Sequence, residues 1–180
     1  VGSEMCIRDR LERLGIPVLV ERSSYESNPL GRMEWIKLYG VLTGKEEQAE
    51  ALYNEQLDTL APILDQPSTG QTAAFFYITA NGAANVRKST DYVAKMLELA
   101  GGKYIFDDLT DDDARSTMNM QMESFYAGAK DADVLIYNST IDGELQTLDE
   151  LLAKSPLLAD FKAVKNRNVS VSYTHLTLPT

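Results

Sequence analysis

Between residues 72 and 171, short apolar runs rich in β-formers alternate with amphipathic helical runs, and no other feature narrows the fold as far. "TAAFFYIT" (72–79) reads as a strand, and "ANGAANVRKST" (80–90) as a Gly/Asn loop ending in two positive charges. "DYVAKMLELAGG" (91–102) follows as an amphipathic helix stopped by glycines. Next come a short strand, "KYIF" (103–106), an acidic loop (107–117), a short helix, "ESFYAGAKDA" (123–132), and the strand "DVLIYN" (133–138). "TLDELLAKSPLLADF" (147–161) is helical, with Pro156 starting a second short helix, and "NVSV" (168–171) is a last strand. Strands that alternate with helices predict an α/β fold, a mostly parallel sheet flanked by helices on both faces.

The chain upstream has a different rhythm. "IPVLVE" (16–21) is short, β-branched and apolar, and predicts a buried strand. Residues 22–28 are polar, after which Ser27 or Asn28 can cap a helix whose first turn suits Pro29. Met33, Ile36, Tyr39 and Leu42 follow at helical spacing until Gly44 interrupts. Thr43 and Glu46 have capping-box spacing, and an apolar face continues from Ala49 through Leu52, Leu57 and Leu60 to Leu64. Two helices in series, or one long bent helix, would reach roughly 50 Å at about 1.5 Å per residue. That length suits a strut between two lobes. "DQPSTGQ" (65–71) is a turn-rich linker.

Composition closes off several classes of function. The sequence has 180 residues, 44% hydrophobic and 24% charged, which suits a soluble globular chain. Its net charge of −10 argues against a nucleic-acid partner. No apolar run approaches the roughly 20 residues that span a bilayer. The ends, 1–10 and 171–180, are similar to peptides that arise when sequencing-adapter DNA is translated, and are expected to carry no biology. They hold Cys6 and His175, the only Cys and the only His. Residues 11–170 therefore offer no disulfide, zinc-thiolate site, Cys nucleophile or Ser-His-Asp triad.

Three stretches together resemble one family: "ESNPLGRMEWIKLYG", "VRKSTDYVAKMLELAGGKYIF" and "FYAGAKDADVLIYN…LLAKSPLLADFKAVKNRNV". They are similar to the substrate-binding proteins of ABC importers for iron-siderophores, haem and cobalamin. The resemblance implies two α/β lobes joined by a stiff helix, with ligand in the cleft between them. It assigns 11–28 to the end of an N-terminal lobe and a crossing segment, 29–66 to the interlobe helix, and 72–170 to the C-terminal lobe. It also implies an extracytoplasmic, lipid-anchored or periplasmic monomer without enzymatic activity or resident cofactor. The expected ligand is a metal chelate, a ferric siderophore first, with cobalamin or haem as the alternative, and the expected partner is an ABC permease. A two-lobed α/β enzyme or metal-cluster subunit would need Cys or His ligands or a Gly-rich phosphate loop, and 11–170 has none. A receptor that senses the chelate would need a membrane anchor.

The candidate residues follow from position. Arg87 and Lys88 lie in the predicted loop after a strand, where open parallel sheets bind ligands, and a guanidinium meets carboxylates or catecholates with a planar fork of donors. The plainer reading is two solvated charges. Tyr77, Asn81 and Asn85 flank the same loop; Tyr77 equally fits an inward core position. On the crossing segment, capping accounts for Ser27 and Asn28 but not for Tyr25 and Glu26, which are expected to face ligand. Arg32 either binds ligand or braces the crossing through a carboxylate such as Glu26, and bracing is the simpler role. Glu123 opens a helix, where the dipole favours a carboxylate. The resemblance makes it the residue that docks onto arginines of the permease, although the helix here is about one residue longer than the family pattern. Met118, Met120 and Met122 alternate, as one face of an extended segment packing on a core would. The acidic run 107–117 lacks the spaced ligands and glycine of a calcium loop.

Overall fold

The structure is a computed structural model that describes residues 2–110, 116–141, 143, 145–172 and 177–179; for 2–5 and 177–179 only the backbone is described. The middle of the predicted acidic loop, 111–115, and His175 lie outside the described residues.

The chain opens with a helix, α1 (Gly2–Arg13), and a short 3₁₀ turn, Ser23–Tyr25. Residues 16–21 between them form no strand. This corrects the expectation for "IPVLVE". A strand exists only through hydrogen bonds to a neighbour, and none of the described strands pairs with this segment. Leu19 and Val20 stay about half exposed, at 57% and 49%.

The helical region is two helices, α2 (Pro29–Thr43) and α3 (Glu46–Leu64). Asn28 caps α2, its side-chain oxygen accepting from the Leu30 amide at 2.9 Å, and Pro29 occupies the first turn. Gly44 ends α2 in the left-handed conformation, φ 67°. The Thr43–Glu46 capping box does not form. Instead the Thr43 hydroxyl donates back to the Tyr39 carbonyl at 2.7 Å, and Lys45 precedes α3 without a side-chain cap. The turn at Gly44 folds α3 back along α2, so the pair is a hairpin rather than an end-to-end strut. Gly40 and Ala49 make the close approach possible: a Cβ on Gly40 would lie 2.6 Å from that of Ala49. Further along, the Lys37 ammonium sits 4.1 Å over the Tyr53 ring.

The α/β unit is built on β1 (Thr72–Ile78), β2 (Ala84–Arg87), β3 (Lys103–Tyr104), β4 (Thr117–Met120), β5 (Val134–Asn138), β6 (Val169–Ser172) and β7 (Thr177–Pro179). They form one sheet in the order β4-β2-β1-β5-β6-β7, with β3 also beside β1. The β1–β5, β5–β6 and β1–β3 pairings are parallel, as the alternation with helices predicts. The outer pairings, β1–β2, β2–β4 and β6–β7, are antiparallel. Part of the predicted loop 80–90 is therefore a strand. Thr79 closes a tight turn with Ala83, Gly82 takes φ 79°, and β2 returns along β1. The predicted strand 103–106 pairs only over Lys103–Tyr104.

Helices α4 (Tyr92–Leu99), α5 (Met122–Ala129), α6 (Leu148–Lys154) and α7 (Lys162–Lys165), with a 3₁₀ segment Pro156–Asp160, complete the unit. Asp91 caps α4, and Thr147 with Glu150 forms a full capping box on α6. Aromatic rings hold the centre. Phe125 of α5 lies 4.6 Å from Phe76, 5.9 Å from Phe106 and 5.5 Å from Phe161, and Phe76 meets Tyr137 edge-on at 5.5 Å. Met118 and Met120, on β4, pack against this core, as does Met122 at the start of α5.

Candidate functional site

In a sheet whose central strands are parallel, chemistry gathers where their carboxyl ends open, because loops there leave the sheet together. Here β1, β5 and β6 end side by side at Ile78, Asn138 and Ser172, and the Ser139 amide donates to the Ser172 carbonyl at 3.2 Å. Small polar groups form this rim. Thr79 and Asn81 share a hydrogen bond in the β1–β2 turn, and Asn138 accepts from the Thr140 amide and, at 2.6 Å, its hydroxyl. The Ser139 hydroxyl is buried without a hydrogen-bond partner. β4 also runs toward this end, since Met120 pairs with Ala84, and it delivers α5 there with Glu123 exposed in the first turn.

Arg87 and Lys88 lie elsewhere. Because β2 is antiparallel to β1, its residues run back from the carboxyl rim toward the other end of β1. This moves Arg87 from the expected loop into a strand, while Lys88 follows it in the segment before α4. Arg87 is the last residue of β2, and its guanidinium faces Asp91 at 3.7 Å, a carboxylate only 4% exposed that also caps α4. The Tyr104 hydroxyl donates to the Arg87 carbonyl at 2.6 Å, so this residue ties β2, α4 and β3 together. Burial is the main cause that pushes the Tyr104 hydroxyl far above its ordinary pKa. Lys88 is 2% exposed, which excludes the reading of a solvated charge. Tyr77 is half-buried on β1 opposite Asn85, which is itself buried and donates to Asn119 at 2.6 Å.

The crossing segment carries the other candidates. Tyr25 is 78% exposed and Glu26 half-buried. Arg32 braces this segment, though not through Glu26: its Nη2 donates to the Ser24 carbonyl at 2.8 Å, and the guanidinium stacks 3.9 Å over the Tyr92 ring of α4. One arginine thus joins the crossing, α2 and α4. Upstream, Glu21 accepts the Ser23 amide at 2.5 Å, and hydrogen bonding to Ser23 holds its carboxyl below the usual range. Tyr39 is raised, first by burial and then by the Glu21 charge.

The six expected ligand residues thus fall into three groups: Tyr25 and Glu26 on the crossing, Asn81 on the carboxyl rim, and Tyr77, Arg87 and Lys88 on or beside the β1–β2 pair. Sequence reasoning passed over Asn138, Ser139 and Thr140. The signal was there, a polar "NST" directly after an apolar strand, the position that the carboxyl-end rule singles out. Among the described residues no group of three or more His, Cys, Asp or Glu side chains could hold a bare metal ion.

A family model described as periplasmic binding protein matches residues 7–172. The chain belongs to the periplasmic binding protein family. An uncharacterised lipoprotein of Methanocaldococcus jannaschii is 31% identical over 163 residues, covering 89% of this chain and 37% of its own length. Two other proteins of that organism match over 44% and 48% of theirs, so the chain spans less than half the length of these curated relatives. Among solved structures, the periplasmic heme-binding protein HutB of Vibrio cholerae superposes with a TM-score of 0.73 at 22% identity, over 91% of this chain and 61% of that one. An ABC-type Fe3+-hydroxamate transport protein of Saccharomonospora viridis gives 0.71 at 21% identity, over 94% and 59%. At these identities the structures show the fold. In this periplasmic binding protein, residues 22–28 before α2 and the carboxyl rim of the sheet both carry exposed polar side chains. No helix among the described residues is long and apolar enough to cross a membrane.

Proposed function

We propose that this chain is part of an extracytoplasmic solute-binding protein that captures a metal chelate, a ferric siderophore, and delivers it to an ABC permease. The observation that carries this reading is the family match across 7–172. Two similar folds support the ligand class, one named for heme and one for Fe3+-hydroxamate transport. Lipoprotein relatives support a site outside the membrane. The protein works by binding, without an enzymatic step or a resident cofactor. Tyr25, Glu26, Asn81 and Tyr77 contribute ligand contacts. Arg87, which also balances the buried Asp91, and Lys88 complete the set.

Glu123 is the docking residue for the permease. It is exposed, it stands at the carboxyl rim, and the first turn of α5 is a place where the helix dipole favours a carboxylate. In proteoliposomes holding the cognate permease, Glu123→Ala is expected to abolish most chelate uptake while ligand affinity stays within about twofold. Uptake that is unchanged removes the docking role. Calorimetric titration with a ferric trihydroxamate, haem and cobalamin tests the ligand class. Tight binding of haem or cobalamin alone replaces the siderophore reading with the second one, which the HutB likeness favours. Binding of none of the three overturns the proposal.

A further inference from the structure

A groove of about 380 Å³ lies where the crossing segment meets the first turns of α2, lined by Glu26, Gly31, Glu34, Trp35 and Leu38. It joins an indole to two carboxylates, and no basic side chain lines it. Trp35 and Glu26 are both half-buried. The Glu26 carboxylate has no cationic partner among the described residues. Glu34 is bridged to Lys37 at 3.1 Å, an exposed and therefore weak pair whose ammonium is also drawn to Tyr53 of α3.

Gly31 leaves room for the carboxylate by having no side chain. A Cβ there would lie 3.2 Å from Oε2 of Glu26, so the carboxylate rests against the first turn of α2, where the helix dipole favours an anion. The groove is thus charged and shaped before any ligand arrives. Arg32, next to Gly31, is engaged elsewhere, with Ser24 and Tyr92.

We propose that this groove receives an alkylammonium arm of the ligand, stacked on Trp35 and paired with Glu26, so that the captured chelate is cationic rather than an anionic catecholate. Indole is the best cation-binding ring among the side chains, and a carboxylate beside it adds a charge-assisted hydrogen bond. This rests on the chelate-binding reading above.

The test compares a linear ferric trihydroxamate that has a free terminal amine with the same chelate N-acetylated, by calorimetry. The amine form is expected to bind about tenfold tighter, and Glu26→Gln to bring the two to parity. Gly31→Ala, which pushes the carboxylate aside, should reduce the preference with the melting temperature unchanged. Equal binding of both chelates to the native chain overturns the groove while leaving the chelate reading intact. If neither chelate binds but butylammonium chloride saturably quenches Trp35, the chain's only tryptophan, in a salt-sensitive manner, the groove stands and the chelate reading falls. If butylammonium also has no effect, both fall.

Discussion

Asp133 precedes β5 and draws three elements together. Its Oδ2 accepts the Thr72 amide at 2.8 Å and the Thr72 hydroxyl at 3.1 Å, and its Oδ1 accepts the Lys162 ammonium at 2.6 Å. These bonds, that of Lys162 first and then those of Thr72, hold its carboxyl at about 2. The unfolded carboxyl titrates near 3.9. A group depressed on folding contributes stability above its unfolded pKa and loses it as pH falls through the folded value. The native chain is therefore expected to lose melting temperature between about pH 4 and pH 2 through this residue. Asp133→Asn should be less stable at neutral pH and show a flatter profile across that window. Thermal melts followed by circular dichroism from pH 7 to 2 check it, and parallel profiles would remove Asp133 as a source of acid sensitivity. None of this was legible in the sequence. Asp133 reads there as the polar edge of "DVLIYN", and its partners are 61 and 29 positions away.

The helical hairpin is the element with the narrowest tolerance. α2 and α3 meet at Gly40 and Ala49, where the 2.6 Å separation of a built Cβ leaves no room for a methyl group. Gly40→Ala gains about 1 kcal/mol of helix propensity and costs about 1–3 kcal/mol of overpacking. The clash is with another Cβ rather than with the free end of a long side chain, so overpacking wins. The variant is expected to lose up to about 2 kcal/mol in urea denaturation, and one more stable than the native chain would show that the helices do not close at this pair. Helix caps were the most legible part of this region. Asn28 and Pro29 act within two positions of the bonds they satisfy. The hairpin itself was not legible, because apolar spacing defines a helix face without saying what covers it. Two helices in series and two helices folded back share one hydrophobic pattern.

Across the whole molecule the core is one aromatic cluster rather than a set of independent layers. Phe125, fully buried, touches rings from β1, from the segment after β3 and from Phe161, which links the 3₁₀ turn to α7. Phe125→Ala is expected to cost about 3–5 kcal/mol. Against the 5–15 kcal/mol that holds an ordinary domain together, that is a large share. The urea midpoint should fall steeply, and a loss below about 1 kcal/mol would mean the cluster repacks around the gap. The sequence by itself determined the α/β class, the strands β1, β5 and β6, the capped start of α2 and the absence of Cys or His chemistry between 11 and 170. Each of these depends on composition or on contacts a few residues apart. Only the tertiary structure decided that 84–87 is a strand, that 16–21 is not, that Arg87 faces Asp91, and that Glu26 meets Trp35 in a groove. A β-strand is made by its neighbour and an ion pair by its partner. When those stand on other elements, local sequence carries no record of which will meet.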